Sequence, residues 1–304
     1  VSPQRKAALL SVGAGLLTLF LKFGAYFLTG SVGLLSDATE SLVNLTAAVV
    51  AFAAISIAAR PPDVSHPYGH EKAEYFSSGL EGGLILAAAA GIVYAAGLRL
   101  LHPAPLHHVD VGLAIALAAS LVNLGVARVL LRIGRQVDSI ALVADSQHLM
   151  TDVWTSVGVV VGVGLAGLTG WYVLDPLIAI GVAVHIVLVG IELVRRSIGG
   201  LMDRALPDEE IAIIRQILAD EAGEATPYHG LRTRKSGPRR FIDLHLLVAG
   251  TLTVKEAHDL AERIEHRLET QWPGSVVTIH VEPVEDLASW DAEEVGGLSG
   301  PEIT

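Results

Sequence analysis

Residues 144–170 read ADSQHLMTDVWTSVGVVVGVGLAGLTG. The later part is apolar enough for lipid, yet the head carries Asp145, His148 and Asp152. A membrane-crossing helix takes about 20 mostly apolar residues, and an ionisable group inside one is costly and usually functional. On a helix, His148 and Asp152 share a face, with Asp145 one turn earlier on a nearby face. The stretch therefore predicts a transmembrane helix with a polar site built into it. The whole chain agrees. Of its 304 residues, 51% are hydrophobic and 17% charged, against about 25% charged in soluble domains. The mean hydropathy is +0.52.

Apolar runs predict six spans, at 7–28, 32–59, 78–101, 111–131, 140–168 and 171–194. The first run is too long for a signal peptide, and no small-residue cleavage site follows it. Arg5, Lys6, Arg60, Lys72, Arg128, Arg132, Arg135, Arg195, Arg196 and Arg204 fall on one side of this topology, and almost only Arg99 on the other. The positive-inside rule then puts both termini in the cytoplasm. Lys22, inside the first span, is expected to snorkel toward the outer interface. The absence of cysteine excludes disulfides and thiolate metal sites. A net charge of −11 argues against nucleic acid as a partner.

The second span repeats the polar spacing of the fifth. DATESLVN carries Asp37, Glu40 and Asn44 with the same intervals as Asp145, His148 and Asp152. Two such helices face to face would gather Glu40, Asn44, His148 and Asp152. That set offers one nitrogen and three oxygen donors, a four-coordinate site for a divalent transition metal. Helix capping or interfacial placement is the competing explanation, and the matched spacing in two spans weighs against it. With neutral imidazole, two carboxylates offset a 2+ ion. Metal binding should expel protons and protons should expel metal.

A soluble domain follows. A helix is expected from Asp208, after Pro207, to about Ala222. Strands are expected at 231–235 and 241–248, then a helix capped by Thr253 and running to about Gln271, then a strand at 276–281. This αββαβ order gives a small sheet with helices on one face. The fold class is thus an α-helical membrane protein with a C-terminal α+β domain. The domains are a transmembrane unit at 1–203, a cytoplasmic domain at 204–285 and an acidic tail at 286–304, read as disordered from its composition.

Histidines cluster outside the spans as well. RPPDVSHPYGHEKAE, residues 60–74, gives Asp63, His66 and His70 ligand-like spacing, with an ordinary solvated loop as the alternative. His70 opens HExxE rather than HExxH, so a zinc-protease reading fails. His280 and Glu282 share one strand face. His245 projects from the preceding strand, His229 precedes the first strand, and His258 sits on the second helix. They either converge at one end or at a dimer interface, or are scattered surface histidines. His185 stands alone in its span as a packing residue.

GSVGLLSDATESLVN, DVSHPYGHEKAE, ADSQHLMTD, LMDRALPDEE, HGLRTRKSGPRRFIDLHL and IHVEP, with His258, together resemble the cation diffusion facilitator family, close to its bacterial ferrous-iron/zinc efflux branch. The resemblance spans about residues 5 to 285 and implies a homodimer of six-span protomers in the cell inner membrane, with a metallochaperone-like cytoplasmic domain. It implies export of Zn²⁺, and of Fe²⁺, Cd²⁺, Co²⁺ or Mn²⁺, in exchange for protons by alternating access. By the same resemblance Glu40, Asn44, His148 and Asp152 match the transport site, and Asp63, His66 and His70 a loop site. His229, His245, His258, His280 and Glu282 match a regulatory binuclear site, and Lys72 and Asp203 a salt bridge that holds the dimer near the membrane surface. Two positions depart from the branch. Glu40 and Asn44 stand where it has two Asp, and Glu282 stands where it has Asp.

No enzyme activity is expected. The alternative to a transporter is a membrane-anchored metal sensor or scaffold, in which the cytoplasmic histidines carry the function without flux.

Overall fold

The computed structural model describes residues 2–29, 32–101, 109–171, 173–223, 226–286 and 289. Two compact units are present, Val1–Gly199 and Gly200–Thr304.

The first unit is a bundle of six long helices: α1 (Pro3–Thr29), α2 (Val32–Ala58), α3 (Ala73–Leu101), α4 (Val109–Gln136), α5 (Ile140–Thr169) and α6 (Leu174–Leu201). The six expected spans each fall on one of them. Among the described residues, five helices carry a stretch long and apolar enough to cross a membrane. The remaining helix, α5, is 30 residues long and bears the polar head quoted above. Large apolar side chains such as Phe20, Phe76, Tyr94 and Leu188 are exposed on the bundle, as expected where the surrounding solvent is lipid.

One core of the bundle joins α1, α2, α4 and α5 through Ala7, Ala8, Ile55, Ala127, Leu130 and Leu142. A second joins α3, α5 and α6 through Ile85, Ala144, Ile186 and Leu193. Glycines let α3 and α6 approach closely. A Cβ on Gly82 would come within 2.8 Å of Val194 Cγ2, and one on Gly190 within 2.9 Å of Leu86 Cδ2. Small residues at such a crossing are how helices pack in lipid, where apolar burial supplies no drive. Lys22 is buried, only 6% exposed. It departs from the snorkelling expectation because its position on α1 faces protein.

The second unit carries α7 (Asp208–Ala222), β1 (Tyr228–Ser236), β2 (Arg239–Val248), α8 (Val254–Gln271) and β3 (Val276–Pro283), the expected αββαβ order. The sheet order is β1-β2-β3, with β1 antiparallel and β3 parallel to β2. Gly237, at φ 56, makes the tight turn between β1 and β2. Thr253 caps α8 in a full capping box with Glu256. Ile242, Leu244, Leu246 and Val248 join Ile214, Ile264 and Leu268 of the helices in one core. Strand alternation therefore sends Asp243, His245 and Leu247 to the sheet's other face. The acidic tail beyond Ser289 lies outside the described residues.

Candidate metal sites

Within the bundle, α2 and α5 bring Asn44, His148 and Asp152 together. His148 Nε2 is 2.9 Å from Asn44 Oδ1, and the Asn44 amide donates to Asp152 Oδ2. Asn44 and His148 are buried and Asp152 is partly so. An amide oxygen accepts only, so the bond to Asn44 requires a proton on His148 Nε2. The three groups are thus linked in a chain of hydrogen bonds, with His148 Nδ1 left buried and unpartnered. For all three to turn their donor atoms on one ion, His148 must present a bare nitrogen. Glu40 lies on α2, but its side chain is outside the described residues.

Sequence reasoning missed one member of this site. Asn123 of α4, 4% exposed, donates from Nδ2 to the same Asp152 oxygen at 3.1 Å. A single amide in an apolar span has no spacing signal. Its partner is visible only once α4 lies against α5.

The entry into α5 is held from α3. Asp138, at φ 55, turns the chain, and Ser139 precedes the first helical residue. The buried Glu74 carboxylate accepts from Ser139 Oγ at 2.6 Å and from Ala141 N at 3.3 Å. A carboxylate at a helix N-terminus answers both the unpaired N–H groups and the dipole.

The loop between α2 and α3 folds around Asp63. Its Oδ1 accepts from Ser65 N at 2.8 Å and His66 N at 2.7 Å. His66 Nδ1 lies 3.3 Å from Oδ1 and His70 Nε2 3.3 Å from Oδ2. One ligand atom from each of the three residues lies within 4.8 Å of the others. The backbone N–H of His66, more than any other group, holds the Asp63 carboxyl below its ordinary value.

On the helix-free face of the sheet, three histidines form one rung. His229 pairs with His245 across β1 and β2, and His245 pairs with His280 across β2 and β3. Their neighbouring rings are 4.8 and 5.0 Å apart. Glu282, two residues beyond His280, reaches all three: 3.0 Å to His229 Nε2, 3.2 Å to His245 Nδ1 and 3.4 Å to His280 Nε2. Ligand atoms of His229, His245 and Glu282 lie within 4.8 Å of one another. β1 begins at Tyr228, so His229 is a strand residue and does not precede the strand. His258 sits on α8 and is not part of this cluster within one protomer. Asp203 meets Arg234 Nη1 at 3.5 Å within the second unit, whereas Lys72 belongs to the first. His185 packs edge-on against Trp154, with ring centroids 5.7 Å apart.

Known proteins share this organisation. Residues 8–202 match the cation efflux transmembrane domain, and residues 206–284 match the cytoplasmic domain of cation efflux proteins. An uncharacterized transporter of Synechocystis, sll1263, is 53% identical over 98% of this chain and 96% of its own. The cation-efflux pump FieF of Citrobacter koseri is 32% identical over 91% of this chain and 92% of its own. A solved structure on the mode of action of CzrB, in its zinc form, is 41% identical over 28% of this chain and 96% of that one, with a TM-score of 0.26. Family members are transporters rather than enzymes. With two family domains matched in tandem and relatives similar along nearly the whole length, the chain belongs to the cation efflux, or cation diffusion facilitator, family.

Proposed function

We propose that this protein exports divalent transition-metal ions from the cytoplasm in exchange for protons, by alternating access, with Zn²⁺ the foremost cargo and Fe²⁺, Cd²⁺, Co²⁺ and Mn²⁺ as candidates. The observation that carries the reading is the convergence of Asn44, His148 and Asp152 inside the bundle. Glu40 is the fourth ligand in this reading. The mixed imidazole and oxygen set suits these ions and disfavours Ca²⁺ and Mg²⁺. Neutral imidazole with two carboxylates balances a 2+ charge, and the site exchanges metal against protons because each competes for the same lone pairs. The relative named cation-efflux pump supports the class of cargo.

In this reading the protein is a homodimer in the inner membrane with both termini cytoplasmic. Asp63, His66 and His70 form an accessory loop site. The rung of His229, His245 and His280 with Glu282, completed by His258, forms the regulatory site. Lys72 and Asp203 form the salt bridge that holds the dimer near the membrane surface. A non-transporting sensor would need the sheet histidines but would have no use for a buried polar set shared by α2 and α5.

The test is metal uptake into sealed proteoliposomes, with Zn²⁺, Fe²⁺, Cd²⁺ and Mn²⁺ offered in turn, with and without a pH gradient. Gradient-driven flux is expected, and His148→Ala should lose it while remaining a folded dimer. Normal flux in that variant removes the transport-site assignment. No flux for any ion, with intact metal binding by the cytoplasmic domain, moves the reading to the sensor.

A further inference from the structure

A second set of buried ionisable groups lies in the bundle, apart from the triad. Glu81 of α3 is 0% exposed and Asp145 of α5 is 1% exposed. The two helices pack together, and Asp145 is the charged group that acts on Glu81. Ser77 Oγ donates to Glu81 Oε1 at 3.2 Å, but Glu81 Oε2 is buried without a hydrogen-bond partner. Both oxygens of Asp145 are likewise unpartnered. The Ser11 hydroxyl of α1, itself 1% exposed, faces Asp145 without closing a hydrogen bond. Among the described residues no lysine, arginine or histidine acts on either carboxylate. The other carboxylate on this face of α3, Glu74, lies seven residues earlier and is taken up by Ser139 and the α5 N-terminus.

Two ionised carboxylates cannot both persist here. Each would forfeit its hydration, each would repel the other, and no cation offsets the charge. Protonation within the pair removes the repulsion, lowers the buried charge and supplies a donor where the oxygens lack one. Position gives this proton a use. At 1.5 Å per residue, Glu81 lies about 10 Å along α3 from Glu74 at its start, and Asp145 about 4.5 Å along α5 before His148 and about 10 Å before Asp152.

We infer that Glu81 and Asp145 form a proton-binding site beside the metal triad, one turn of α5 before His148, that holds a proton. In the antiport reading, on which its role rests, the site carries one of the protons exchanged for metal.

The pair is tested by infrared difference spectroscopy of the full-length protein in liposomes, in H₂O and D₂O. The wild type is expected to show the carbonyl stretch of a protonated carboxylic acid at neutral pH. Glu81→Gln and Asp145→Asn should each shift that band, and the double variant should abolish it. Glu81→Asp, which keeps an acid at the position, should retain a shifted band and serves if the neutral variants fail to fold. A band unmoved by every variant, or absent from the wild type, overturns the inference. Proton counting during metal exchange then addresses the role, and the double variant is expected to move one proton fewer per metal. If the wild type moves metal without protons while the band behaves as stated, antiport falls and the proton site stands.

Discussion

Asp152 is held by two amides. Asn44 from α2 and Asn123 from α4 both donate to Oδ2, so the carboxylate is fixed from two sides before any ion arrives. Asn44 has a second task, accepting from His148, whereas the Asn123 side chain, among the described residues, bonds to Asp152 alone. That makes Asn123 a positioning residue, one step back from the ligands. Groups of this kind typically change metal affinity by about 10–100-fold when lost. Asn123→Ala should therefore weaken Zn²⁺ binding by about that factor. Asn123→Asp should weaken it too, because the donor is replaced by a charge that repels Asp152. Calorimetric titration of the purified protein checks both, and wild-type affinity in the two variants would mean that Asp152 needs no such support.

At the scale of the element, the start of α5 depends on a residue of α3. Glu74 accepts from Ser139 Oγ and Ala141 N, and loss of an N-terminal cap costs about 0.5–2 kcal/mol. Glu74→Ala should destabilise the bundle by about that amount and speed hydrogen exchange in the first turn of α5. Glu74→Gln should do less, since an amide oxygen still accepts. In α8 the cap is pH-dependent. Bonds from Thr253, its backbone N–H first, hold the Glu256 carboxyl below its ordinary value. A depressed folded value means that the contribution is present above the unfolded value and is lost as pH falls through the folded one. The first turn of α8 should thus stay protected through the ordinary carboxylate range and fray only in stronger acid. Glu256→Gln should remove that pH dependence, as hydrogen exchange at 254–257 against pH will show. Such elements were legible from local signals. Apolar length gave the six helices, Thr253 the start of α8, and alternation the strands. Asn123 and Glu81 were not legible, because one polar residue in an apolar span names no partner until the helices are packed.

For the whole molecule, the question is how two units built on different physics serve one transport cycle. The bundle holds its polar groups away from water, while the sheet displays His229, His245, His280 and Glu282 on the face its own helices leave uncovered. His258 belongs to another element, so no single protomer's cluster gathers all five residues. A second copy of the domain facing this rung would bring further ligands to it, and metal bound there would draw the copies together. In the proposed cycle, internal metal fills this site first and biases the bundle toward transport. The expected result for His245→Ala combined with His280→Ala is then specific. The variant should keep the transport triad and some basal flux, but its flux should no longer rise steeply with metal on the cytoplasmic side. Proteoliposome flux against Zn²⁺ concentration, beside the His148→Ala control that loses flux altogether, separates the two effects. A steep wild-type response in the double variant would show that the sheet histidines do not govern the bundle.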